Sequence, residues 1–124
     1  MRDEFEVIHA YTRRQAIEDG TLIDVSGMAK EAGIRYPVAL TRTVWEEYVK
    51  TDEKDREVGQ SEEGRLWDIL WMFRMAATKC KGDTLLYKLY HLSGKKHRLI
   101  KLKAVCGPDD DGNPCITIMM PDED

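Results

Sequence analysis

Arg98-Leu99-Ile100-Lys101-Leu102-Lys103-Ala104-Val105 sets Ile100, Leu102 and Ala104 against Lys101 and Lys103 in strict alternation. A period of two marks a strand with one face buried and one wet. Upstream, beyond the turn Ser93-Gly94-Lys95-Lys96, the run Leu85-Leu86-Tyr87-Lys88-Leu89-Tyr90-His91-Leu92 is strand-like. Downstream, beyond Gly107-Pro108-Asp109-Asp110-Asp111-Gly112-Asn113, lies a third run, Cys115-Ile116-Thr117-Ile118-Met119. Sequential strands joined by short turns pair antiparallel, so a C-terminal three-stranded antiparallel β-meander is expected.

Before Gly82 the period is helical. The longest helix is predicted from about Ser61 to Lys79. Its members Leu66, Trp67, Ile69, Leu70, Trp71, Met72, Phe73, Met75, Ala76 and Ala77 are apolar nearly all the way round. Such a helix is expected to be buried on most sides, as the central helix of the core. Short helices precede it. Thr12 and Gln15 have capping-box spacing for a helix that Gly20 stops. Leu22 to Val25 is extended, and Ser26 caps a second helix over Met28 to Ala32, stopped by Gly33. Pro37 holds Tyr36 extended. Thr41 or Thr43 caps a third helix, with Val44, Trp45, Tyr48 and Val49 on one face. Residues 50 to 60 are almost wholly polar and read as a solvated loop or a helix extension. Helices first and sheet second give an α+β domain over residues 1–124, its long buried central helix packed on the meander.

A chain of 124 residues with 42% apolar side chains and three Trp can build its own core without metal or disulfide. The acidic opening Met1-Arg2-Asp3-Glu4-Phe5-Glu6 excludes a signal-peptide apolar stretch, and no apolar run is long enough to span a bilayer. Cys80, Cys106 and Cys115 are odd in number and form no CxxC pair. Reduced thiols and a cytoplasmic location are the expectation.

Few residues invite chemistry. A zinc site would need Cys80, Cys106, Cys115 and either His91 or His97 to converge, yet none forms the close pair usual for zinc. The Asp109–Asn113 turn lacks the Glu that closes a calcium loop, Met120 standing at the twelfth position. No nucleophile elbow or phosphate-cradling loop is present. His9, Glu18 and Asp24 are the candidates for acid–base work, with no pairing visible in sequence. No cofactor and no catalytic residue is expected.

Charge is distributed unevenly. From Lys79 to Lys103, eight basic residues face the single acid Asp83, a local +7; the whole chain is −4, so the remainder carries −11. The basic hairpin, through Lys88, Lys95, Lys96, Arg98, Lys101 and Lys103, is a candidate nucleic-acid surface with Tyr87, Tyr90 and His97 for stacking. Alternating lysines also keep an exposed sheet face soluble. The acidic remainder, including Glu4, Glu6, Glu46, Glu47, Glu62 and Glu63, is a candidate field for a basic partner surface.

Tyr11-Thr12-Arg13-Arg14-Gln15-Ala16-Ile17-Glu18-Asp19-Gly20-Thr21-Leu22-Ile23-Asp24-Val25-Ser26 resembles the opening of a family of small uncharacterised proteins. They occur on bacterial plasmids, integrated elements and phages. Ala29-Lys30-Glu31-Ala32-Gly33-Ile34, Tyr36-Pro37-Val38-Ala39-Leu40-Thr41 and Val44-Trp45 continue the likeness. The family is labelled a domain of unknown function, so no catalytic residue transfers. The resemblance implies an accessory gene of mobile DNA whose product binds a host or element-encoded protein. The exposed polar members of the motif, Arg13, Arg14, Glu18, Asp19 and Asp24, join Glu46, Glu47, Glu62 and Glu63 as candidate partner-binding residues.

Overall fold

The computed structural model describes residues 11–123. The α+β class stands, and the sheet is larger than the sequence suggested. Five strands run in the order β1-β2-β5-β4-β3: β1 Leu22–Asp24, β2 Val38–Thr41, β3 Thr84–Ser93, β4 Lys96–Pro108 and β5 Pro114–Met119. β3, β4 and β5 pair antiparallel in sequence order. β2 joins β5 in parallel, Val38 against Ile116 and Leu40 against Ile118, and β1 pairs antiparallel to β2. The expected three-stranded antiparallel meander is thus part of a mixed five-stranded sheet. β2 was not legible because Val38-Ala39-Leu40 is only three apolar residues, too short to show a period. All three side chains are fully buried, as befits a strand covered on both faces.

Five helices are described: α1 Arg13–Asp19, α2 Ser26–Glu31, α3 Arg42–Val44, α4 Glu53–Glu57 and α5 Glu62–Ala77. Thr12 and Gln15 form the expected capping box, and Gly20 ends α1 in the left-handed conformation at φ 85°. At α2 the cap differs from expectation. Val25 is the N-cap and no side chain caps the helix; Asp24 accepts the Ser26 N–H, while the Ser26 hydroxyl donates to Asp24 and accepts the Val38 N–H, tying α2 to β2. Thr41 caps α3, which runs on into a π turn, Trp45–Val49, closed by the Lys50 N–H on the Trp45 carbonyl at 2.8 Å. The polar stretch after it hides a second capping box, Asp52 with Asp55, that starts α4.

One face of the sheet carries α2, α3 and α5, packed on Val38, Leu40, Tyr87, Leu89, Ile100, Leu102, Ile116 and Ile118. On the other face α1 covers only the β1-β2-β5 side. There the Arg13 guanidinium donates to the Thr117 hydroxyl at 2.6 Å and to the Ile116 carbonyl at 2.8 Å. Asp110, in the β4–β5 turn, accepts the Arg13 and Arg14 N–H groups at the start of α1. Among the described residues no helix lies over the same face of β3 and β4. Ile118 sits under both halves of the core and is fully buried. Ile118→Ala is expected to cost about 2–5 kcal/mol in urea unfolding.

Candidate functional site

The outer side of α5 departs most from expectation. The helix buries Leu66, Ile69, Leu70 and Phe73 against the sheet, but it is not buried on most sides. Trp67, Trp71, Met72 and Met75 are each 37–42% exposed. Nothing among the described residues packs over α5 to cover them, because the domain has a single layer of helices on this face. Glu63, Trp67, Trp71 and Met75 recur every four residues and so lie in one row along the helix. The Trp67 and Trp71 rings stack 6.0 Å apart, 13° from parallel, and the Arg74 guanidinium lies 5.5 Å from the Trp71 ring centre. Four large apolar side chains on one helix face make a patch of the kind that marks an interaction surface.

Its acidic end is tied to the preceding segment. Glu62 accepts the Thr51 N–H, placing the start of α5 beside the exit of the π turn that carries Glu46 and Glu47. Glu46 is shared between Arg42 at 3.8 Å and Lys50 at 3.4 Å, both exposed, whereas Glu47 and Glu63 are exposed without an ion pair among the described residues.

The other candidate residues of the N-terminal motif have structural work. Arg13 anchors α1 to β5, Asp19 accepts from the Tyr11 hydroxyl and the Thr21 N–H, and Asp24 accepts the Ser26 N–H. Arg14 and Glu18 remain exposed beside the β4–β5 turn, lining a shallow depression with Asp24 and Asp110. His9 lies outside the described residues. Among the described residues Glu18 forms no side-chain hydrogen bond or ion pair in this depression.

The basic hairpin divides between faces. By register, Lys88 stands directly opposite Lys101 on the uncovered side of β3 and β4, with Tyr90 opposite Leu99 beside them. Lys103 shares this side and donates to the Glu123 carbonyl. Arg98 faces His91 on the helix-covered side, with Lys96 two residues before it, and Lys95 is in the turn. The six basic residues therefore do not form one surface. Cys106 points toward the core while Cys115 is buried on the opposite face under α1, so the two do not converge. No group of three or more His, Cys, Asp or Glu is placed to hold a metal among the described residues. No helix among them is long and apolar enough to cross a membrane.

A buried polar network fixes the hairpin against the helices. Arg65 and Asp55, both about 94% buried, pair at 3.1 Å. Arg65 also donates to the carbonyls of Lys50 and Leu92, each at 2.8 Å, and Asp55 accepts from the N–H groups of Gly94 and Asp52. His91 is buried beside this pair, its ring edge-on to Tyr48 at 5.1 Å. Neither ring nitrogen has a hydrogen-bond partner among the described residues. Sequence reasoning missed this network because residues 50 to 60 read as uniformly solvated; the Asp52/Asp55 capping box was the available clue.

The chain matches a family model over residues 1–124. It belongs to DUF6573, a family of unknown function. No curated protein and no solved structure matches it.

The network gives two outcomes to check. Arg65→Met leaves Asp55 buried without its cation, and a loss of about 3–5 kcal/mol is expected by urea unfolding. The pH response has two stages. Burial, then the Arg65 and Arg98 cations, push the His91 imidazole below its ordinary value. The unfolded chain therefore takes up that proton first, so this part of the stability is complete above about pH 6.5 and is lost as pH falls toward the depressed folded value. The N–H groups of Gly94 and Asp52, together with Arg65, hold the Asp55 carboxyl down to about 2. Its contribution is complete above about pH 4 and is lost toward about pH 2. Thermal midpoints measured against pH should fall in both windows, and His91→Gln should remove the first fall alone.

Proposed function

We propose that this domain acts without catalysis, by binding a protein partner through the outer face of α5. The observation that carries this reading is the row Trp67, Trp71, Met75 with Met72 beside it, large apolar groups left on the surface of a helix whose other side is packed on the sheet. Trp and Met are enriched at protein interfaces, and a stacked Trp pair supplies rigid contact area at low entropic cost. The acidic end of the row at Glu62 and Glu63, with Glu46 and Glu47 on the neighbouring turn, suits a partner whose apolar patch is rimmed by Lys or Arg.

The resemblance to small proteins of plasmids, integrated elements and phages supports a setting in mobile DNA. In that setting the partner is a host or element-encoded protein, and occupation of its basic-rimmed surface would make this domain an anti-defence or regulatory inhibitor working in the cytoplasm. Crosslinking of the tagged protein in a bacterial host lysate, with nuclease present, tests the reading. Trp67→Ser with Met72→Ser is expected to reduce capture of a specific protein about ten-fold or more while the fold persists. Charge reversal of Glu46, Glu47, Glu62 and Glu63 is expected to reduce it further and to weaken its salt dependence. Unchanged capture by the folded variants would overturn the proposal.

A second reading, nucleic-acid contact, is favoured by one feature. Lys88 and Lys101 stand directly opposite each other on the uncovered sheet face, an arrangement that costs stability unless an anion relieves it. Tyr90, 72% exposed, lies next to them as a stacking platform. On this reading single-stranded probes shift in gels at low salt, and Lys88→Gln with Lys101→Gln removes the shift. No shift by the wild type would exclude it.

A further inference from the structure

A second concave feature lies at the opposite end of α5 from its acidic start. The loop Gly33–Tyr36, the end of α5, and the start of β3 with the end of β4 enclose a groove of about 510 Å³. That is within the range of small-molecule sites. Its wall is largely apolar, built by Ile34, Phe73, Ala77, Leu85 and Ile116. Into it come two cations, Arg35 and Arg74, against one carboxylate, Asp83, which already accepts the Thr84 hydroxyl at 3.1 Å. Neither arginine forms an ion pair among the described residues.

Arg74 is held in place by apolar means. One contact of its guanidinium is the face of Trp71, 5.5 Å to the ring centre. Another is the backbone of Gly33. That glycine ends α2 at φ 89°, and a Cβ there would come within 2.9 Å of Arg74 Nε and 3.1 Å of Cζ. The left-handed turn requires glycine, and its lack of a Cβ lets the guanidinium lie this close. The result is a planar fork of N–H donors that packs on Trp71 and Gly33 and is paired with no carboxylate among the described residues. A fixed guanidinium recognises a carboxylate with two parallel hydrogen bonds.

We propose that this groove binds a small monocarboxylate carried on an apolar body, the carboxylate on Arg74 and the body along the apolar wall. Two arginines against Asp83 leave the groove one net positive charge over a largely apolar wall, which matches a single carboxylate on an apolar body. The groove adjoins the outer face of α5 at Trp71, on which Arg74 packs, but its wall is built from other residues, and the proposal does not depend on the protein-docking reading.

The test is an amide and indole NMR titration of the full chain with sodium octanoate, with octan-1-ol and octylammonium as uncharged and cationic counterparts. Octanoate is expected to give saturable shifts at Gly33, Ala77, Ala104 and the Trp71 indole, with affinity about ten-fold or more above that for octanol or octylammonium. Arg74→Gln is expected to bring octanoate down to the octanol level without altering octanol itself. Ala77→Leu, which fills the wall and keeps the guanidinium, is expected to weaken both octanoate and octanol, and it serves if Arg74→Gln unfolds. Equal binding of octanoate and octanol, no saturable shift at these positions, or shifts confined to Trp67 and Met72 would each overturn the proposal.

Discussion

Arg65 is the point on which the chain's separate parts close. One guanidinium reaches the carbonyl at the exit of the π turn, the carbonyl of Leu92 near the end of β3, and the carboxylate of Asp55 on α4. Asp55 in turn accepts the N–H of Gly94 in the β3–β4 turn. Two stretches distant from each other in sequence, residues 50–55 and 92–94, are thereby fixed to the first turns of α5. Burying this pair costs desolvation, and its geometry offsets that cost by satisfying most of the donors and acceptors involved. Its contribution is best understood as one of register: it sets where the long hairpin ends relative to α5, and so which residues of α5 meet the sheet.

That placement leaves the domain with unequal sides. Over β1, β2 and β5 the sheet is sandwiched, with α1 on one face and the larger helical layer on the other. Over β3 and β4 the described residues cover it once. The fully buried Val38-Ala39-Leu40 belongs to the first region, and exposed Leu86, Tyr90 and Leu99 belong to the second. The single helical layer has a further consequence, since α5 can bury only one side. Its other side carries Trp67, Trp71, Met72 and Met75 into solvent, although their composition suits an interior.

Much of the local structure was legible in the residues. The Thr12/Gln15 capping box, the stop at Gly20 and the alternation of β4 each depend on contacts within a few residues, and sequence spacing reports such contacts directly. The parallel partnership of β2 with β5 was not legible, because parallel pairing needs no turn and leaves no local mark. Nor was the buried role of Asp55, since a charged residue in a polar run is ordinarily solvated and only its partner, ten residues on, reverses that.

The candidate sites divide along the same line. The amino-acid sequence by itself determined the α+β class, the capped helices, the strands of the long hairpin and the concentration of positive charge on it. The tertiary structure alone decided that the six basic residues split across two sheet faces, that Arg13, Asp19 and Asp24 are spent on anchoring and local hydrogen bonds, and that α5 keeps an apolar side uncovered. The physical reason is that periodicity tells how many faces of an element are apolar. It does not tell how many layers the rest of the chain can supply to cover them.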